Sequence, residues 1–182
     1  NSVMTRYHVD KAHALRVAEL TVDIAKQTAQ NWDMQQFEAM EILRSAALLH
    51  EVGLQVAYKD QQRHAGYILA NTNLPGFTEA QKKLLTALVS NHKEDIDQGA
   101  LAKQSSTSVL LACRLVRILR LAVILSLRRA DEVLPKVRVE VEGEDLNLFL
   151  PESWLDENPL SQAELKQEAS YQAEHRWNLN LK

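Results

Sequence analysis

Between Leu43 and Leu54 the chain reads LRSAALLHEVGL, and this stretch constrains everything around it. It is apolar until it presents an imidazole and a carboxylate side by side, His50-Glu51, just before Gly53. Such a run suits a helix enclosed by its neighbours, with Gly53 as its C-terminal stop. Burying an ion without a partner costs on the order of several kcal/mol. The pair must therefore be met by a metal, another protein group or a phosphate.

Composition supports a helical frame for that element. The chain of 182 residues is 46% hydrophobic with 5 glycines and 4 prolines, which favours long helices over a loop-rich or all-β fold. The single Cys113 excludes an internal disulfide framework and a cysteine-only zinc site, and suits a reducing cytoplasm. A net charge of -3 means that any polyanion site is local rather than spread over the surface. The most apolar window, Val109–Leu127, is interrupted by Arg114, Arg117 and Arg120, which reads as a buried helix rather than a membrane span. The polar start without an initiator Met reads as a piece of a longer chain.

Taken in order, the spacing of Leu15, Ala18, Val22 and Ala25 predicts a helix over Lys11–Asn31, capped by Asp10 and carrying His13. Helices follow at Phe37–Val52, His64–Asn71 and Glu79–Asn91, the last opened by a Thr78/Gln81 capping box. Lys93–Ser108 reads as a surface loop. Val109–Asp131 is the longest helix and the central one, with Arg114, Arg117, Arg120, Arg128 and Asp131 on an arc of roughly 120°. The plain reading of that stripe is a solvated or salt-bridged edge. Beyond it the period changes. Val137, Val139 and Val141, then Leu146, Leu148 and Leu150, alternate as strands, a helix covers Ser161–Ala173, and Trp177–Leu181 is a third strand. The expected architecture is mainly α: a helical bundle over 1–134, followed at 135–182 by a small α+β appendage with a short antiparallel sheet. Glu140, Glu142, Glu144 and Asp145 are expected to face water.

The candidate site lies in the histidines. His13, His50 with Glu51, His64, His92 and Asp131 come from separate elements, and converging imidazoles and carboxylates are what a divalent metal needs. Their order resembles that of HD-domain metal-dependent phosphohydrolases. Glu51 in place of the aspartate moves the carboxylate by about 1.5 Å, which counts against a bound metal. Three readings stay open: a metal site, a metal-free remnant of one, and histidines that never meet. Other chemistries have little support. All five glycines are isolated, so there is no phosphate-cradling loop, and Cys113 and the three tryptophans suit packing rather than catalysis or base stacking.

The segments RYHVDKAHALRVAEL, LRSAALLHEVGL, HAGYILANTNLPGFT, LVSNHK and LRLAVILSLRRAD, with the ESW…HRWNLNL tail, resemble the C-terminal region of the Ppx/GppA phosphatases. That family comprises exopolyphosphatases and guanosine pentaphosphate phosphohydrolases. The resemblance implies an HD-like helical domain with a small α/β piece in a cytoplasmic enzyme. It places the Mg²⁺-assisted attack of water on a terminal phosphoryl group in two actin-like domains outside this chain, so no cofactor and no catalytic residue are expected here. It also implies that the region binds polyphosphate or another phosphate polyanion and supports a homodimer, with no role for nucleic acid. Arg63, His64, Lys93 and Arg128 are the candidate phosphate contacts, because charge-assisted bonds hold such chains. His13, His50, Glu51, His64, His92 and Asp131 are the candidate metal ligands. The alternative is a self-sufficient HD-type metallophosphohydrolase.

Overall fold

The structure, a computed structural model, describes residues 2–34, 36–127 and 136–182. After a short helix α1 (Ser2–Arg6), the long α2 (Lys11–Trp32) begins where Asp10 accepts a hydrogen bond from the His13 amide, and it ends at Asp33 in a left-handed conformation. It packs along α3 (Phe37–Leu49). The third helix stops earlier than its apolar run suggests. His50 caps it, Glu51 follows, and the chain tightens into a 3₁₀ turn, Val52–Gln55.

Gly53 is therefore not the helix stop that the sequence suggests. It is a point of close approach: a Cβ there would lie 2.0 Å from the Gln61 carbonyl and 2.7 Å from the Ala65 nitrogen. Only glycine lets α4 (Gln61–Ala70) sit against the turn that carries His50 and Glu51. The Thr78–Gln81 capping box forms with both of its bonds and opens α5 (Glu79–Ser90). The segment expected as plain loop contains a short helix, α6 (Gln98–Ala102), whose amide at Ala100 bonds to the Asp97 side chain.

Capped by Ser108, α7 (Val109–Leu125) runs through the centre of the molecule. Its arginine stripe is the largest departure from expectation. Arg117 and Arg120 have no exposed surface at all. Arg114 bonds to Glu144 and to the Trp32 carbonyl. The Arg117 Nε donates to Gln172 Oε1 at 2.7 Å and its Nη atoms to the carbonyls of Glu144 and Asn178, while burial brings its pKa down to about 10. It remains a cation at neutral pH. The Arg120 Nε and Nη2 donate to Glu168 at 2.7 and 2.8 Å. A buried guanidinium is tolerable only when its fork of donors is filled, and here it is. Arg128 and Asp131, at the far end of the stripe, lie outside the described residues.

The appendage consists of β1 (Arg138–Glu142), β2 (Asp145–Phe149), α8 (Glu152–Glu157), α9 (Pro159–Ala173) and β3 (Leu179–Leu181). β1 pairs antiparallel with β2, but β3 pairs parallel with β2, so the sheet is mixed rather than antiparallel. The reason is the long connection through α8 and α9, which returns the chain to the end of the sheet where β2 began. Of the four acids expected in water, Glu140 and Glu142 are exposed, whereas Glu144 is half-buried against Arg114 and Asp145 accepts from Asn178. Gln27 and Asn31 of α2 hydrogen-bond the backbone of β1, and Trp32 Nε1 donates to the Gly143 carbonyl. Val139, Leu148 and Trp177 thereby share one hydrophobic core with the helices, and Cys113 is buried in it, its thiol pushed up to about 11. Among the described residues no helix is long and apolar enough to cross a membrane.

Candidate functional site

Three helix ends converge on one cavity of about 860 Å³. The first turn of α2 brings His13, the turn after α3 brings His50 and Glu51, and the end of α5 brings His92. All four are buried. The rings of His13 and His50 lie 6.2 Å apart between centroids, and those of His50 and His92 meet edge-on at 5.1 Å. His13 Nε2 stands 3.9 Å from Glu51 Oε1, beyond hydrogen-bond length. Each of His13, His50 and Glu51 offers a donor atom within 4.8 Å of the others.

Two backbone contacts set the imidazoles. His50 Nδ1 lies 2.6 Å from the Ala47 carbonyl, and His92 Nδ1 lies 2.7 Å from that of Val89. A carbonyl can only accept, so in both rings Nδ1 carries a proton, and the His92 ring, kept neutral by its burial, has its lone pair on Nε2. A histidine that ligates a metal is typically oriented in this way by a backbone or carboxylate partner on its other nitrogen. Burial above all, then the neighbouring His50, holds His92 well below the ordinary imidazole pKa, against an opposing pull from the Val89 carbonyl. Its Nε2 is buried and has no hydrogen-bond partner among the described residues. Two imidazoles and a carboxylate form a donor set that would suit a borderline divalent ion, and such an ion would polarise a bound water or phosphoryl oxygen.

The segment carrying His92 is anchored from three sides. Asn91, wholly buried, donates to the Ala87 carbonyl and accepts from the Asp97 amide, and Arg120 donates to the Asn91 and Glu94 carbonyls at 2.6 Å each. Arg63, a candidate phosphate contact, donates to Asn91 Oδ1 and the Asp95 carbonyl, where it braces the same loop outside the cavity lining. His64 is half-buried on α4 and does not line the cavity. Lys93 does, with its ammonium 5.0 Å from the Tyr58 ring centre. The remaining candidates, Arg128 and Asp131, fall outside the described residues.

The far wall was not foreseen. Leu160, Glu164, Gln167, Glu168 and Tyr171 of α9 close the cavity opposite the histidines. Their spacing of three and four marks one helix face, a signal present in the sequence. What hid it was that α9 belongs to the appendage, with no local sign that it would turn toward the bundle.

These features define a helical domain with a small mixed sheet, built around a buried histidine–carboxylate pocket. The chain belongs to the Ppx/GppA phosphatase family: the family's domain III profile matches residues 1–169. Relatives named guanosine-5'-triphosphate,3'-diphosphate pyrophosphatase agree. One from Pseudoalteromonas translucida is 40% identical over 96% of this chain and 35% of its own length. Another, from Aeromonas hydrophila, is 41% identical over 100% of the chain and 36% of its own length, and that of Aeromonas salmonicida is 40% identical with the same coverage. The chain thus spans about a third of those proteins, in their C-terminal part.

Proposed function

We propose that this chain is the non-catalytic C-terminal domain of a phosphohydrolase acting on guanosine pentaphosphate, and that it contributes a phosphate-binding and dimerisation surface to the parent enzyme. The observation that carries the reading is the coverage. Relatives that bear a pyrophosphatase name match the chain end to end, yet extend for about two thirds of their length beyond it. On this reading, as the family resemblance implies, Mg²⁺-assisted attack of water on the terminal phosphoryl group takes place in the part of the parent that this chain does not cover. Guanosine pentaphosphate is favoured over polyphosphate because the relatives carry that substrate in their names. Among the described residues the cavity lining carries one lysine, Lys93, beside four glutamates, which also speaks against a long bare polyanion. An assembly contact would use the apolar surface at Phe37, which is 79% exposed beside Met40 and Val22.

Orthophosphate release from guanosine pentaphosphate tests the proposal. The full-length parent is expected to turn the substrate over while this chain alone stays at the level of the blank, and turnover by the chain at the parent's rate would overturn it. One observation favours a second reading, a metallophosphohydrolase in its own right: the three donor atoms within 4.8 Å at His13, His50 and Glu51. That reading requires metal-dependent phosphate release by the isolated chain, lost in His50→Ala.

A further inference from the structure

We infer that the cavity takes an organic polycation, a short alkyl chain carrying several ammonium groups, through acceptors that the fold leaves open. The site needs no donor atom of His13, His50 or Glu51, and it lies outside the phosphate-binding role proposed above.

The inner part of the cavity holds acceptors without donors. His92 Nε2, Gln61 Oε1 and Ser126 Oγ are buried and have no hydrogen-bond partner among the described residues. The three residues line the cavity and are 1%, 7% and 4% exposed. His92 turns Nδ1 back to the Val89 carbonyl of its own helix, which leaves the Nε2 lone pair on the cavity side. A buried acceptor left unmet is costly, and three of them in one cavity mark the place of a ligand that brings N–H groups. An ammonium brings three donors and accepts nothing. A phosphate chain offers acceptors alone and satisfies none of the three.

The mouth supplies charge and ring faces. Glu94 and Glu164 stand exposed there, whereas Glu168 is already held by Arg120. The Tyr171 phenol is raised above its ordinary pKa by burial first and then by Asp95 and Glu94, with Arg120 opposing, which reports a negative field at this wall. Both tyrosines of the lining already carry a cation of the protein itself. The Lys93 ammonium lies 5.0 Å from the Tyr58 ring centre, and the Arg120 guanidinium carbon lies 5.6 Å from that of Tyr171. Aromatic faces attract cations in this way, and Tyr58, 76% exposed, has room for a second one.

Leu54, Val123 and Ile124 add apolar wall to the same cavity. Acceptors inside, an aliphatic wall, and acids with aromatic rings at the mouth together match an alkyl polyammonium. A bare inorganic ion has no use for the apolar wall, and a neutral sugar has none for the acids. A volume of about 860 Å³ is within the range for small-molecule sites, which is roughly 300–1,000 Å³.

Titration calorimetry of the chelator-treated 182-residue chain with spermidine at low salt tests the inference. One spermidine is expected to bind per chain, with an affinity that falls as salt is added. Gln61→Leu removes an acceptor that makes no bond within the protein, and it changes no charge. Circular dichroism and the urea midpoint are therefore expected to stay as they were, while spermidine binds about tenfold more weakly. Ser126→Ala serves in the same way if the first variant does not fold. Glu164→Gln, at an exposed position, is expected to weaken binding about threefold, and Lys93→Met, which removes a like charge from the Tyr58 face, to strengthen it. The absence of spermidine binding would overturn the inference. So would unchanged affinity in the folded Gln61→Leu or Ser126→Ala variant, which would reduce the effect to diffuse attraction by surface acids.

Discussion

Replacing Glu168 with alanine strikes a place where the bundle, the appendage and the pocket share a connection. Arg120 makes two bonds to that carboxylate and donates to the carbonyls of Asn91 and Glu94, and both side chains of the ion pair are almost fully enclosed. Glu168 also accepts from Gln172, whose own oxygen receives the Arg117 Nε. Removing the carboxylate leaves a buried guanidinium with its charge unmatched, which costs about 3–5 kcal/mol. For a chain of this size, with about 2–4 °C per kcal/mol, that is a fall in melting temperature of roughly 6–20 °C. Arg120→Met is expected to be as severe, because it strands Glu168 and takes the donors from two carbonyls. Combining Arg120→Met with Glu168→Leu removes both charges and leaves the two orphaned carbonyls and the Gln172 amide that had donated to Glu168, at about 1 kcal/mol each. The double variant should therefore be more stable than either single one. Urea denaturation followed by circular dichroism gives the three free energies. Single variants costing less than about 1 kcal/mol, or a double variant worse than both, would refute the reasoning.

The buried neutral His92 makes stability depend on pH. Its folded pKa lies well below the unfolded value of about 6.5, so on acidification the unfolded chain takes up the proton first. This contribution is complete above about pH 6.5 and declines as pH falls toward the folded pKa, by at most about 1.4 kcal/mol per pH unit. Urea midpoints of chelator-treated protein between pH 7.5 and 5 should show that slope, and His92→Gln should flatten it; a midpoint that rises on acidification contradicts the assignment. Gly53→Ala is expected to cost about 1–3 kcal/mol or more, because the new methyl group meets the Gln61 backbone carbonyl and α4 must move. Thermal melts measure it, and a shift within error would mean that the turn and α4 are less tightly packed than described.

Much of the architecture was written locally. The period of α2 and α5, the Asp10 and Thr78 caps, and the alternation in β1 and β2 are short-range signals, and the elements stand where those signals put them. The placing of His13, His50, Glu51 and His92 near the ends of helices was also legible, but whether their side chains meet was left open by the sequence and was decided by packing. Three-dimensional packing decided the rest. No pattern within residues 109–125 distinguishes an arginine at the surface from one whose donors are filled by Glu168, Gln172 and carbonyls more than twenty residues away. The parallel pairing of β3 depends on where α9 comes to rest, and so does the acidic and aromatic wall that α9 lends the cavity. Sequence alone determined which side chains could do chemistry and which helices carry them. Only the tertiary structure decided which of those charges are spent on holding the molecule together, because a partner distant in the chain leaves no periodic trace near the residue it satisfies.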